Sequence, residues 1–135
     1  MSKRLFGTDG IRAVAGDEPL DRPTVRRFGV ALAQCLAARN GAMRVILGRD
    51  TRESGPWLRD ALAAGITAAG AEPVDVGIIT TPGLAWVLRA GGYDAGVMIS
   101  ASHNSFEDNG LKAFDRHGVK LADEVERKIE ALILD

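Results

Sequence analysis

The sequence predicts an α/β fold, a three-layer α/β/α sandwich on a mixed but mostly parallel sheet. Short apolar runs of strand length alternate with amphipathic helical patterns, at a spacing of about 30 residues. This alternation is typical of right-handed crossovers between parallel strands. With 46% hydrophobic and 26% charged residues, the 135-residue chain is expected to form a single domain with its own core, spanning residues 1–135.

The first predicted helix begins at Asp21, which suits an N-cap because Pro23 follows in the first turn. We expect it to end near Asn40 and Gly41. Its apolar stripe consists of Val25, Phe28, Leu32 and Leu36. The continuous apolar run at 45–47 then predicts a strand.

The second predicted helix has Ser54 as its N-cap, Pro56 in its first turn and Gly70 at its end. Its stripe is Leu58, Leu62 and Ile66. The small residues beside that stripe, Ala61, Gly65 and Ala69, predict close packing on the sheet.

The remaining pattern predicts a strand at 73–77, a helix from Thr80 to Gly91 and a strand at 95–99. A short strand at 111–114 with a tight turn at 116–118 should turn back beside the loop that follows residue 99. A last amphipathic helix begins at Asp123. Trp57 and Trp86 both lie in helical patterns and are interpreted as packing residues.

The segment 95–114, AGVMISASHNSFEDNGLKAF, contains the candidate site. A buried strand that ends in small polar residues lies where open α/β sheets bind ligands. Ser102 is the candidate nucleophile, because it lies in the loop with His103 and Asn104 directly after it. Ser100 should point to the same side as Ser102 if the strand geometry continues. By itself, an SHN triplet is also compatible with a simple capped turn.

Three blocks of the sequence resemble the α-D-phosphohexomutase superfamily. They are SASHN followed by DNGLK at 100–112, FGTDGIR at 6–12, and GRDTR at 48–52 with SG at 54–55. The FGTDGIR block resembles the opening of the phosphoglucosamine mutase branch. Ser105 stands where the family commonly has proline, and Ala13 where the branch has glycine. Ser105 is expected to leave the loop more mobile, but neither change removes a reacting group.

The resemblance implies a phosphoryl exchange that interconverts glucosamine 6-phosphate and glucosamine 1-phosphate. In that family the serine of SHN carries the phosphoryl group, which maps onto Ser102, and glucosamine 1,6-bisphosphate is the intermediate and activator. Mg²⁺ would be held by Ser102 through its phosphate. Arg12 would face the phosphoserine, and Lys112 would reach the reaction centre.

Other roles follow from the chemistry of the side chains. His103 is the candidate general acid or base, because imidazole titrates near neutral pH. Ser100 and Asn104, together with Arg12 and Lys112, are candidate phosphate-binding residues.

Simpler structural interpretations exist for the charged residues. Arg12 is equally compatible with a solvated arginine on a surface hairpin. Lys112 is also typical of a solvated residue on an edge strand. We expect Arg49 and Asp50, at the end of the predicted strand 45–47, to pair with each other and order the loop that follows.

Charge and composition exclude several classes of partner. The net charge of −1 and the lack of a basic run argue against nucleic acid. The first residues lack the apolar run of a secretion signal, so we expect none, and no apolar run approaches the ~18 residues of a membrane span. Cys35 has no partner for an internal disulfide, so we expect a cytoplasmic protein in which this residue fills a helix face.

The family's enzymes are several times longer, and nothing here resembles their DGDxDR, GEESGH or RxSGTEP motifs. We therefore expect the first domain of a longer multidomain phosphohexomutase, whose partners are a hexosamine phosphate and the remaining domains. We expect it to fold but not to turn over substrate alone.

Three alternative functions are considered. The first is the equivalent domain of a phosphomannomutase or phosphoglucomutase, and the second is a non-catalytic sugar-phosphate binding module. A serine hydrolase is the third, although Ser102 lacks the flanking glycines of a nucleophile elbow.

Overall fold

The computed structural model describes residues 5–36, 38 and 41–134. In these ranges the helices and strands predicted from Asp21 onward follow one another in the predicted order, and a first strand that was not predicted precedes them. They are β1 (Ile11–Val14), α1 (Arg22–Cys35), β2 (Arg44–Arg49), α2 (Gly55–Ala68), β3 (Glu72–Ile78), α3 (Thr81–Gly91), β4 (Ala95–Ile99), β5 (Asp108–Asp115) and α4 (Asp123–Leu134). None of the helices described is long and apolar enough to cross a membrane.

The strands form one mixed sheet in the order β1, β5, β4, β2, β3. β2 pairs in parallel with both β3 and β4, whereas β5 pairs antiparallel with both β4 and β1. β1, β2, β3 and β4 therefore run in one direction and β5 runs in the other. The prediction of a mixed, mostly parallel sheet is confirmed.

Helices cover both faces of the sheet. Side chains on successive strand residues point to opposite faces, so neighbouring residues of β2 pack in different cores. Val45 and Leu47 of β2 pack in a large core with residues of α1, α2 and α4. Ile46, between them, packs in a smaller core with Leu84 and Leu88 of α3. The three-layer α/β/α architecture follows from this division.

Two helix starts are capped as the sequence predicts. The Asp21 carboxylate accepts the Thr24 N–H at 3.2 Å at the start of α1. The Thr80 hydroxyl accepts the Gly83 N–H at 3.1 Å at the start of α3. Each bond satisfies a donor in the first helical turn.

The predicted end of α1 is wrong, because the helix stops at Cys35. Leu36 is already extended, with φ −114° and ψ 151°. The predicted stop at Asn40 lies outside the described residues. Cys35 packs partly buried against the core, and this burial raises the pKa of its thiol while the nearby Lys128 opposes that rise.

Ser54 does not cap α2 as predicted. Its backbone is helical, with φ −75° and ψ −14°, and its side chain makes no cap hydrogen bond. An N-cap side chain reaches forward only from an extended backbone. Instead, the Ser54 hydroxyl accepts the Asn109 side-chain N–H at 2.8 Å, which ties the start of α2 to the start of β5.

The small residues of α2 were predicted to face the sheet, but Gly65 faces α1. A Cβ on Gly65 would lie 2.0 Å from the Arg26 carbonyl oxygen, and one on Gly29 of α1 would lie 2.4 Å from the Leu62 carbonyl oxygen. The two helices therefore cross with their backbones in contact. Side chains at these two positions would push them apart.

The packing role predicted for the tryptophans is correct only for Trp57. It packs partly buried against the large core, with the Arg22 guanidinium carbon 4.9 Å from the ring centroid. Trp86 is 63% exposed. The buried face of α3 is formed by Leu84 and Leu88, and Trp86 lies midway between them on the opposite side of the helix.

We predict that Gly65→Ala lowers the free energy of unfolding by about 2 kcal/mol, because the overlap with α1 outweighs the helix propensity of alanine. Urea unfolding of the purified chain measures this. Gly70→Ala is the control, since a Cβ there meets nothing within 4 Å and only its φ of +84° opposes the change. A Gly65→Ala variant as stable as the parent chain would contradict the close crossing.

Candidate active site

The candidate site lies at the edge of the sheet where the parallel strands β2 and β4 end, at Arg49 and Ile99. Residues 100–107 form the connection from β4 to β5, here called the 100–107 loop. Its residues 102–107 are exposed. The loop thus lies at the carboxyl end of β4, the position where ligands bind in open α/β sheets.

Ser102 stands exposed in the 100–107 loop with an unusual backbone conformation. Its φ is +53°, in the left-handed region that non-glycine residues seldom occupy. Its N–H donates to the Ser100 hydroxyl at 3.1 Å. Its own hydroxyl oxygen accepts a hydrogen bond from Arg12 Nη2 at 3.3 Å. The candidate nucleophile and the candidate phosphate-binding guanidinium are therefore in contact.

Arg12 reaches Ser102 because β1 and β5 pair with Arg12 opposite Gly110. A Cβ on Gly110 would lie 3.1 Å from Arg12 Cγ, and only 2.7 Å from the Ser100 carbonyl oxygen. Because Gly110 has no side chain, it leaves the space that the Arg12 side chain occupies as it passes over β5. Arg12 is exposed, as the simpler interpretation assumed, but its strand belongs to the sheet and its guanidinium contacts Ser102.

Lys112 lies two residues beyond Gly110, so it is on the same face of β5. Because β5 runs between β4 and β1, Lys112 is not on an edge strand as the simpler interpretation assumed. Its side chain is 31% exposed, and its Nζ lies 3.9 Å from the Asp9 carboxylate. The lysine thus faces the same pocket as Ser102 and Arg12.

All the predicted site residues line one pocket of about 370 Å³. They are Arg12, Ser100, Ser102, His103, Asn104 and Lys112, and Asp9, Thr81 and Met98 complete the lining. Thr81 is the first residue of α3, whose amino end carries a partial positive charge. Two cationic side chains and a helix amino terminus favour an anion here.

His103 and Asn104 are both exposed on the 100–107 loop. Within the described ranges, no hydrogen bond joins His103 to the Ser102 hydroxyl. The Asn104 N–H donates to the Ala101 carbonyl at 3.1 Å, which closes a tight turn in the loop. The side chains of both residues are thus left to solvent and to a ligand in the pocket.

The expected pair of Arg49 and Asp50 does not form. Arg49 Nη1 lies 3.3 Å from the Asp75 carboxylate of β3. Asp50 accepts the Ser100 hydroxyl at 2.7 Å and Arg52 Nε at 3.1 Å. Consecutive residues of an extended chain point to opposite sides, which separates Arg49 from Asp50. The Ser100 hydroxyl donates its hydrogen to Asp50. Phosphate binding by Ser100 stays a prediction.

Sequence reasoning missed Arg52, whose guanidinium lies against the 100–107 loop and donates to its backbone carbonyls. The available signal was the position of two charged residues, Asp50 and Arg52, directly after a buried strand.

No group of three or more His, Cys, Asp or Glu able to hold a metal ion occurs in the part of the chain that the structure describes.

A model of the phosphoglucomutase/phosphomannomutase family, alpha/beta/alpha domain I, matches residues 3–135. The chain belongs to this family. The resemblance seen in the sequence motifs is thereby confirmed, and the fold and the order of the motifs are those of a phosphohexomutase domain I.

Curated relatives of this phosphohexomutase domain are named phosphoglucosamine mutase. That of Solibacter usitatus is 53% identical over 130 residues, which cover 96% of this chain and 29% of the relative. That of Deinococcus deserti is 50% identical over 134 residues, 98% of this chain and 30% of the relative. The chain thus spans less than a third of the length of these relatives.

A solved structure supports the same assignment. A phosphoglucomutase/phosphomannomutase family protein from Burkholderia thailandensis superposes with a TM-score of 0.78 at 32% identity. The match covers 97% of this chain and 30% of that protein. The fold of the phosphohexomutase domain is therefore the one found in a longer protein of the family.

The left-handed backbone of Ser102 predicts an uncommon ranking of variants. Ser102→Gly should be about 1 kcal/mol more stable than Ser102→Ala, because only the alanine retains a Cβ that opposes positive φ. Urea unfolding of the two variants gives the difference directly. Equal stabilities, or a more stable alanine variant, would contradict the conformation of the loop.

Proposed function

We propose that the chain is the first domain of a phosphoglucosamine mutase and that Ser102 carries the phosphoryl group that is exchanged. The observation that carries this proposal is the contact of the exposed Ser102 hydroxyl with Arg12 in a pocket that Lys112 also lines. The names and the 50–53% identity of the curated relatives support the amino sugar as substrate.

In the proposed reaction, phosphorylated Ser102 donates its phosphoryl group to the 1-hydroxyl of glucosamine 6-phosphate. The bond from phosphorus to the serine oxygen breaks, and a bond from phosphorus to the sugar oxygen forms. The sugar hydroxyl loses its proton, and the serine oxygen can accept one. The resulting 1,6-bisphosphate turns over in the site and returns its 6-phosphoryl group to Ser102, which leaves glucosamine 1-phosphate.

The residues of this chain position the phosphoryl group and balance its charge. Arg12 offers a planar set of donors that matches phosphate oxygens, and it already lies within hydrogen-bonding distance of Ser102 Oγ. Lys112 adds a second positive charge from the floor of the pocket. Since the phosphoryl-transfer transition state carries charge on its equatorial oxygens, such fixed cations lower its energy.

His103 is the proposed carrier of the proton. Its exposed side chain lines the pocket beside Ser102, within the same loop. Asn104, next to it, offers an amide to the phosphate or to a sugar hydroxyl. These roles are consistent with the side chains being open to the pocket.

Mg²⁺ fits this part of the protein only incompletely. Asp9, the carboxylate of the pocket lining, lies 3.9 Å from Lys112 Nζ, and Asp50, in the 48–52 motif, is engaged by Arg52 and Ser100. We propose that the phosphate on Ser102 supplies an oxygen ligand and that the other ligands come from outside the described residues. When bound, the ion neutralises charge on the transferred group.

The alternatives have less support. The relatives' names favour the amino sugar over a phosphomannomutase or phosphoglucomutase. A serine hydrolase needs a base that is hydrogen-bonded to its nucleophile. Among the described residues His103 makes no such bond, and the guanidinium that contacts Ser102 is a poor base. A sugar-phosphate binding module would bind its ligand in the same pocket without transfer of a phosphoryl group to Ser102.

The proposal also covers the context of the chain. The substrate is a hexosamine phosphate, the partners are the remaining domains of a longer mutase, and the compartment is the cytoplasm. By itself the chain should bind phosphate weakly and should not isomerise a sugar phosphate. Isomerisation by the purified chain at ordinary enzyme rates would overturn this part of the proposal.

Phosphoryl transfer to Ser102 is the direct test. The chain is joined to the remaining domains of a relative and incubated with glucosamine 1,6-bisphosphate and Mg²⁺. Intact-mass analysis and peptide mapping should then find one phosphoryl group on Ser102. Ser102→Ala should carry none, and Arg12→Ala should acquire it about a hundredfold more slowly, because a fixed cation is lost from the transition state.

Ser105→Ala is the matched control, because it removes a hydroxyl from the same loop and keeps the backbone carbonyl. It should be phosphorylated at the parent rate. Labelling at another residue, or an unchanged rate in Arg12→Ala, would contradict the proposed site. Binding of the bisphosphate without any label would favour the non-catalytic module.

A further inference from the structure

Arg52 makes a dense set of hydrogen bonds with the 100–107 loop. Its Nη2 donates to the carbonyl oxygens of Ser102 at 2.8 Å and Asn104 at 3.1 Å. Its Nη1 donates to those of Ser105 and, at 3.1 Å, Asp108. The guanidinium thus binds backbone along the whole turn that contains Ser102.

The orientation of Arg52 is itself held by Asp50. The carboxylate accepts Arg52 Nε at 3.1 Å and the Arg52 backbone N–H at 3.1 Å. The same carboxylate accepts the Ser100 hydroxyl, whose oxygen accepts the Ser102 N–H. A continuous chain of hydrogen bonds therefore runs from Asp50 to both sides of Ser102.

Other contacts of the 100–107 loop with the described part of the chain include the Arg12–Ser102 hydrogen bond and the Ala15 N–H, which donates to the Glu107 carbonyl at 3.0 Å. Residues 102–107 are exposed, and Phe106, the large apolar side chain of the turn, is 84% exposed. Arg52, by contrast, has a side chain that is only 10% exposed, because the loop lies over it. Ala101 is buried, but because residues 102–107 are exposed the order of this turn depends mainly on hydrogen bonds, and those to a charged donor are the strong ones.

We infer that Arg52 is the positioning residue of the phosphate-bearing loop and sets the place of the Ser102 hydroxyl relative to Arg12. The role of the loop in phosphoryl transfer rests on the proposed function, whereas the ordering of the loop does not. Within the described ranges Arg52 makes no hydrogen bond with the Ser102 hydroxyl, so it acts through the backbone. A lysine cannot replace it, because an ammonium lacks the planar fork that spans several carbonyls.

Residue 105 of the 100–107 loop differs from the residue that is common in the resembled family. Ser105 stands where the resembled family commonly has proline, a residue that would stiffen the turn. Here the Ser105 carbonyl accepts from Arg52 and also from the Asp108 N–H at 3.0 Å. The guanidinium therefore holds the turn at the position where the ring is missing.

Amide hydrogen exchange of the 135-residue chain tests the ordering role. The amides to follow are those of Ser102, Asn104 and Asp108, because each donates a hydrogen bond within or next to the loop. Arg52→Lys should raise their exchange rates at least about tenfold and leave the amides of β4 unchanged. Arg59→Ala is the matched control, since that guanidinium binds the carboxylates of Asp60 and Asp75 and should leave the loop unchanged.

Chemical rescue separates positioning from general structure. In Arg52→Ala, added guanidinium ion should restore slow exchange at the same three amides, whereas urea at equal concentration should not. Arg52→Gln serves as a milder variant if the alanine variant does not fold. Parent-like exchange of the loop amides in Arg52→Lys, or no response to guanidinium in either truncated variant, would overturn the inference.

Phosphoryl transfer supplies the functional arm, in the chain joined to the remaining domains. Arg52→Lys should lower the maximal rate at which Ser102 is labelled about tenfold. The bisphosphate concentration that gives half of this rate should change less than about twofold, because the pocket cations are kept. If Arg52→Lys is labelled at the parent's maximal rate although its loop amides exchange faster, the positioning role is overturned. If the parent chain acquires no label, the proposed function fails, while the exchange experiment still decides whether Arg52 orders the loop.

Discussion

The antiparallel pairing of β5 with both β4 and β1 is the constraint on which the site depends. It makes the chain reverse directly after β4, so the 100–107 loop stays at the carboxyl edge of the sheet. The same register places Gly110 opposite Arg12 and Lys112 opposite Met98. A slip of β5 by one residue would turn Lys112 towards the large core beneath α1, α2 and α4 and would remove this cation from the pocket.

Local patterns predicted the fold well because they report on burial and capping. Continuous apolar runs identified β2 and β4, and Asp21 and Thr80 identified the starts of α1 and α3. The errors arose where a distant contact overrides local preference. Gly65 reads as a small residue for packing on a sheet, but only the path of α1 reveals that it contacts a helix. Ser54 reads as a cap, but Asn109 binds its hydroxyl from across the fold.

The candidate site was predictable to the extent that its residues lie in recognisable motifs. Ser102, His103 and Asn104 follow a buried strand, and Arg12 and Lys112 lie in motifs that resemble a known family. Their convergence in one pocket required the strand order, which periodicity does not provide. Arg52 also lies in a recognisable motif after a buried strand, but its role could not be assigned, because its partners are backbone carbonyls about fifty residues away.

The hydrogen bonds of Asp50 also shape the charge of the site. A free carboxylate beside Ser100 would repel an incoming phosphate, and the repulsion would be strong at short range in a partly buried setting. Pairing with Arg52 neutralises it, and the Ser100 hydroxyl donates to one of its oxygens. In the proposed function, Arg12 and Lys112 would therefore act on the phosphate with Asp9 as the opposing carboxylate of the lining. Ordering of the loop and the positive character of the pocket thus come from the same set of contacts.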